Sequence, residues 1–289
     1  MGNRENQATG MRITHYSLLI TLLGLLALPV GSAHAQFDHE HKAWTALLKK
    51  HVVLIDGGKA SRLRYAGMQR DHALLKAYLD ALSAVSEREF GDWTKPRQLA
   101  FLINAYNAFA VEKVLTRYPD IRSVWDFGKI FGNPFKDRFF TLLGRKFSLD
   151  MIEHDTIRAK GVYDEPRIHF AVNCASVGCP MLREEAYIAE RLDGQLEEQT
   201  RRFLADRTRN RFNSADNTLE VSEIFKWYST DFTSGLKGIR SREQFLGKYA
   251  DLLADGPADR KVIREQRAEI HYLDYDWSLN DAKTAKGAP

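Results

Sequence analysis

Only two cysteines occur in the 289 residues, so the chain has neither a dense disulfide framework nor a paired Cys-x-x-Cys zinc site. No His-x-x-x-His spacing supports a metal centre, and no glycine-rich phosphate loop or dinucleotide fingerprint appears. No metal and no cofactor are therefore expected. Charge of one sign is also scarce. The formal net charge is +4, and basic and acidic residues alternate through residues 184–211, where Arg201-Arg202 is balanced by Glu197-Glu198. Such interleaving describes a solvated helix face and excludes a nucleic-acid footprint. Internal repeats and low-complexity linkers are absent as well.

The one long apolar run is short for a membrane span. Arg4 and Arg12 precede apolar residues 18–30, and Ala33-His34-Ala35 supplies the small-x-small signature of signal-peptide cleavage. About a dozen apolar residues fall below the roughly 20 needed to cross a bilayer. We therefore expect residues 1–35 to be a signal peptide, with a periplasmic or secreted product and no stable membrane insertion after cleavage. Residues 36–289 then form a single globular domain of about 254 residues, large enough for a real core.

Both cysteines lie in Asn173-Cys174-Ala175-Ser176-Val177-Gly178-Cys179-Pro180, just downstream of His169 and not far from Glu153-His154. In an exported chain, two cysteines read naturally as one disulfide, here closing a small loop worth less than about 3 kcal/mol. The same residues also suit covalent chemistry, because a thiolate becomes nucleophilic when an imidazole or a positive dipole lowers its pKa. On that reading Cys174 is the nucleophile, His154 the first choice of base with Glu153 at hand, and His169 the second choice. His preceding Cys is the order of a permuted papain-like arrangement rather than of papain itself. Roles and geometry, not chain order, define such sites.

Periodicity implies an α+β fold, helix-rich, with a small antiparallel sheet. Residues 39–51 read as a helix with Trp44, Leu47 and Leu48 on one face, and residues 70–83 as a second. From Lys95-Pro96 onward, apolar residues at 99, 101–103, 105, 106, 108, 109, 111, 114 and 115 run nearly all round, which marks a buried central helix. Asn104 and Asn107 on that helix have no water to bond, so each must find a loop backbone or a ligand. Residues 125–135, with Trp125, Phe127, Phe131 and Phe135, read as an aromatic loop that lines a pocket or covers the core. A hairpin follows over residues 139–149, and Asp150-Met151-Ile152-Glu153 reads as a capping box opening a helix that carries His154 and Arg158 on one face. Residues 167–172 read as an extended strand with Ile168, Phe170 and Val172 on one side. An amphipathic helix over residues 192–204, a hairpin over 211–221, helices at 224–228 and 245–253 and a strand at 269–276 complete the pattern.

Five blocks resemble the bacterial form of domain-of-unknown-function family 547. They are Phe101-Leu102-Ile103-Asn104-Ala105-Tyr106-Asn107-Ala108; Ile152-Glu153-His154 with Ile157-Arg158; His169 to Cys174 with Cys179-Pro180; Ile224-Phe225-Lys226-Trp227-Tyr228 with Asp231-Phe232; and Tyr275-Asp276-Trp277-Ser278-Leu279-Asn280. They run in order from about residue 90 to 280. The resemblance implies that Asn104, Asn107, Glu153, His154, Arg158, His169, Cys174 and Cys179 occupy motif positions, and it implies no reaction.

Two functions from different classes follow. One is a thiol-dependent hydrolase or acyl transferase using Cys174 with His154. The other is a non-catalytic periplasmic ligand-binding or scaffold protein with a structural Cys174–Cys179 disulfide, in which Asn104, His154 and Arg158, with Asn107 as a further binding candidate, hold an anionic small-molecule or peptide-like ligand. The export expectation has its own check: N-terminal sequencing of the exported protein is expected to begin at Gln36, and a membrane-bound product retaining Met1 would contradict it.

Overall fold

A 21-residue helix that is buried on every face has to be wrapped by the rest of the chain, and α5 (Lys95–Leu115) is that helix. Pro96 sits in its first turn, where a missing N–H costs nothing. The computed structural model describes residues 1–2, 36–128 and 132–284, and Phe37–Pro289 forms one unit. Residues 3–35, where the signal peptide is expected, including Arg4, Arg12, the apolar run and Ala33-His34-Ala35, lie outside the described residues, as does Phe131.

Along the chain, α1 (Lys42–His51) leads into a hairpin of β1 (Val52–Ile55) and β2 (Ala60–Leu63), followed by α2 (Tyr65–Arg70), α3 (His72–Ala84) and α4 (Glu87–Gly91). After α5, β3 (Phe140–Leu142) and β4 (Arg145–Phe147) form the expected antiparallel hairpin, turning at Leu143-Gly144. Then come α6 (Leu192–Ala205), β5 (Arg211–Asn213), β6 (Thr218–Ser222), α7 (Ile224–Trp227), α8 (Arg242–Gly247), α9 (Ala250–Leu253), α10 (Pro257–Arg264) and β7 (Glu269–Leu273). The fold is a helix-rich α+β domain with small antiparallel sheets. The last strand departs from that rule. β7 pairs parallel to β6, with Thr218 opposite Glu269 and Ser222 opposite Leu273, because the four intervening helices α7 to α10 carry the chain back to its starting edge.

Two apolar clusters fill the interior. The first surrounds α5 and includes Trp44, Leu75, Phe101, Phe109, Phe147 and Ile168; the second is rich in aromatics, with Phe170, Phe203, Phe225, Phe232 and Phe245. Residues 167–172 join them, and here the expected strand is absent. Pro166–Phe170 is a 3₁₀ turn, opened by Pro166 and by the Glu165 carboxylate, which accepts the Arg167 N–H at 3.1 Å. With three residues per turn, Ile168, His169 and Phe170 point in three directions, whereas a strand would offer only two. Ile168 enters the first cluster and Phe170 the second, and His169 is left for a polar partner.

Two other expectations change in detail. Asp150 does not cap the helix that follows it; its own backbone is helical, and the Ser148 hydroxyl accepts the Met151 N–H at 3.1 Å instead. Met151–Ile157 is wound as a π-helix, a wider turn found mostly at functional sites. Residues 245–253 split into α8 and α9 rather than forming one helix.

Phe109 in α5 is 4% exposed and stacks on Phe140 at 3.8 Å between ring centroids. Phe109→Ala is expected to lower the unfolding free energy by about 3–5 kcal/mol in urea titrations, as deletion of a core aromatic does. A loss below about 1 kcal/mol would mean that α5 is not the central helix.

Candidate functional site

The loop after the 3₁₀ turn is held by amides. Asn173 accepts the Ala175 N–H at 3.0 Å and the Asn280 side-chain amide at 3.2 Å, and it donates to the Pro180 carbonyl at 2.7 Å. The chain end lies along this loop: Gly178 N–H donates to Asp276 O and Val177 N–H to Ser278 O, both at 2.8 Å. Gly178 has to be glycine here. A Cβ would sit 3.0 Å from the Asp276 nitrogen and from the Tyr275 ring. Within the loop Cys174 and Cys179 are joined as a disulfide, with their Cα atoms 6.2 Å apart. The Tyr275 hydroxyl donates to Cys179 Sγ at 3.1 Å and lies 3.4 Å from Cys174 Sγ.

His169 is sandwiched between two carboxylates. Its Nε2 is 2.7 Å from Asp231 Oδ2 and its Nδ1 is 3.8 Å from Glu153 Oε1, while Tyr228 stacks on the ring at 3.8 Å. Both Glu153 Oε1 and His169 Nδ1 are buried without a hydrogen-bond partner. Burial lowers the His169 pKa and outweighs the opposing influence of Asp231 and Glu153, so the ring is held neutral. Asp231 responds the other way. Burial alone would raise it, but hydrogen bonds from His169 and from Arg158, at 2.7 and 3.0 Å, hold its carboxyl well below the usual carboxylate range. Tyr106 and Tyr228 are pushed up, first by burial and then by the nearby Glu153 charge.

His154 and Arg158 do share one face, as their spacing implies, and Arg158 Nη1 hydrogen-bonds to His154 Nδ1. A guanidinium only donates, so Nδ1 is the acceptor and the ring proton sits on Nε2, which lies 3.9 Å from Asp150 Oδ1. The lone pair that a general base needs is thus occupied. His169 donates from Nε2 to Asp231, and its Nδ1, without a hydrogen-bond partner, faces Glu153 at 3.8 Å. Asn104 and Asn107 are both buried and contact loop backbone rather than the cavity described below. Asn104 exchanges hydrogen bonds with Tyr187 O and N at 2.7 and 3.0 Å, and Asn107 binds Ala171 O at 3.0 Å and Asn173 N at 2.8 Å.

A cavity of about 450 Å³ opens over these groups. Glu153, His154, His169, Cys174 and Cys179 line it together, so the structure gathers the titratable residues singled out in the sequence. Trp125 and Phe135 of the aromatic loop line it too. Residues whose roles the sequence left unassigned complete it: Tyr106, Tyr228 and Tyr275 among the polar groups, and Trp227 and Trp277 at the rim. Asp231 stands behind His169. Tyr106 carried a signal, because a phenol inside an all-round apolar helix needs a partner for its hydroxyl. Asp231 carried a signal only through the family resemblance, where it stands beside Phe232 in a motif block; by itself a single carboxylate in a short helical turn looks like surface.

Among the described residues, no three His, Cys, Asp or Glu side chains converge as a metal site needs, and no helix is long and apolar enough to cross a membrane.

Acid is expected to destabilise the fold. Because the His169 pKa is lowered in the folded state, the unfolded chain takes up a proton near pH 6.5 that the folded chain resists, so this stability is present above that pH and lost below it. Buried His41, lowered to about 4, adds to the same slope. Asp231, also lowered, adds a further loss below the usual carboxylate range. Urea titrations from pH 8 to 5 are expected to show falling stability, with a shallower slope in His169→Gln. A slope unchanged by that substitution would contradict the burial of a neutral His169.

Residues 90–204 match the model of a family described as protein of unknown function, DUF547. No curated protein and no solved structure matches the chain. The matched stretch carries α5, Glu153, His154, Arg158, His169 and both cysteines, and it ends before Asp231 and Tyr275, although those residues complete the same cavity. Over residues 90–204, the chain thus resembles the DUF547 family.

Proposed function

We propose that the protein is an exported small-molecule-binding protein whose Cys174–Cys179 disulfide forms part of the wall of the binding cavity. The observation that carries this reading is the disulfide, which leaves neither sulfur as a thiolate for a thiol mechanism. The sulfurs are joined to each other, the His154 lone pair is occupied by Arg158, and His169 lies between Asp231 and Glu153. The cavity volume, about 450 Å³, falls in the range of small-ligand sites, and its aromatic wall with a few convergent polar groups has the usual composition of one. The signal-peptide pattern at Ala33-His34-Ala35 supports export, and an oxidising compartment would keep the bond formed.

A thiol-dependent hydrolase or transferase is the second reading. It is favoured by the position of Cys174 in the cavity wall, 3.4 Å from the Tyr275 hydroxyl, where a reduced thiol would meet a bound molecule.

One set of measurements separates them. Mass spectrometry of unreduced protein is expected to show a stoichiometric disulfide, and a chemically diverse compound library is expected to yield ligands that change the tryptophan fluorescence. The Cys174→Ser, Cys179→Ser double variant is expected to keep their affinities within about twofold while losing less than about 3 kcal/mol of stability. Hydrolysis of ester or thioester probes by reduced protein, abolished by Cys174→Ser, would replace the binding reading with the thiol one.

A further inference from the structure

We infer that the cavity takes an organic cation with a methylated ammonium head, seated against the tryptophan rim above Glu153; this deepens the binding reading proposed above and rests on it. The aromatic wall is continuous. Trp277 contacts Tyr275 at 4.4 Å, Trp125 at 5.3 Å and Trp227 at 5.5 Å between ring centroids. Trp277 is tilted 75° from Trp125 but only 26° from Trp227, so the rings form two walls meeting at a corner. Trp227 is 42% exposed, unusual for so large an apolar side chain, and stands at the mouth. Ring faces carry negative quadrupole charge and attract weakly hydrated cations, and boxes of such rings recognise quaternary ammonium groups.

The charge of the wall points the same way. Among the described residues, the carboxyl side chains lining the cavity are Asp150 and Glu153, and no lysine or arginine lines it. The nearest guanidinium, Arg158, is bound bidentately by Asp231 behind the wall and lies over the far side of the box at Tyr228, 5.1 Å from its ring centroid. His169 adds no charge to this balance, since it is held neutral. Glu153 is 5% exposed and its Oε1 has no hydrogen-bond donor, so the hydroxyls of Tyr106 and Tyr228 and the charge of Arg158 offset its carboxylate only in part at the wall of an aromatic cavity. A cation above it offsets that deficit through space without needing a direct hydrogen bond. A sugar would also stack on tryptophan, but it would bring hydroxyl dipoles in place of the charge that Glu153 and Asp150 call for.

Choline, its uncharged isostere 3,3-dimethylbutan-1-ol, and N-acetylglucosamine distinguish these cases in titrations of the whole protein, read by tryptophan fluorescence and calorimetry. Choline is expected to bind saturably and about tenfold or more tighter than the isostere, the margin a cation–π contact supplies. Trp227→Leu, at an exposed position that leaves the core intact, is expected to weaken choline by about tenfold and the isostere much less. Glu153→Gln is expected to lower choline affinity selectively; should that variant not fold, Trp227→Leu carries the test alone. Equal affinity for choline and the isostere would overturn the assignment, as would binding of N-acetylglucosamine without choline. Library ligands that bind but are not displaced by choline would remove the cation assignment and leave the binding reading intact. A cavity that binds nothing in either experiment would remove both.

Discussion

The side chain of Asn107 ties the site to the core. One amide, buried in the middle of α5, donates to Ala171 O and accepts from Asn173 N, so it grips the chain on both sides of Val172. An unsatisfied buried amide costs about 1–3 kcal/mol for each group left unpaired, so the loop has little freedom to leave. The 3₁₀ turn ahead of this clamp aims His169, and the disulfide loop behind it presents both sulfurs. Asn104 does the same one helical turn earlier for the loop at Tyr187. Amides placed on an otherwise apolar helix therefore act as register marks, selecting one packing among the many that a greasy helix alone would tolerate.

Behind the cavity wall, burial and pairing compete, and the outcome differs from residue to residue. Asp231 is stripped of much of its water, yet three donors from Arg158 and His169 more than compensate, and it stays ionised. His169 is buried more deeply and gains less from protonation than it loses in solvation, so it stays neutral. Glu153 is the group left over, close to two tyrosines that its charge disfavours from ionising. A buried ionic group of this kind adds little to stability compared with an apolar replacement, and removing one partner is costly.

The disulfide acts at short range. Its loop is small, so it constrains the unfolded chain only modestly. What it does locally is keep the turn at Ala175, with φ of 69°, closed against the chain end, where Gly178 and Asp276 approach too closely for any side chain. Tyr275, and with it the rim through Trp277, is positioned by that contact. The aromatic wall is thus assembled from α5, from the loop near residue 125, from α7 and from the chain end, held together by a loop of eight residues.

Patterns that depend on neighbours in the chain were legible. The all-round apolar run at 99–115 could only be a buried helix, the two hairpins carried turn residues at their tips, and the proximity of His169 to the cysteines marked the right stretch. Contacts between distant segments were not. Alternation at residues 167–172 fits a strand or a 3₁₀ turn equally well, and only the presence of two separate cores, one for Ile168 and one for Phe170, decided between them. Asp231 lies 62 residues from His169, and Tyr275 lies 96 from Cys179. Nothing in their immediate surroundings distinguishes them from ordinary surface or cover residues. Local sequence determines which backbone shapes are available at each point. The choice of partner for a buried charge belongs to the folded chain, because that choice depends on desolvation, which exists only once the core has closed.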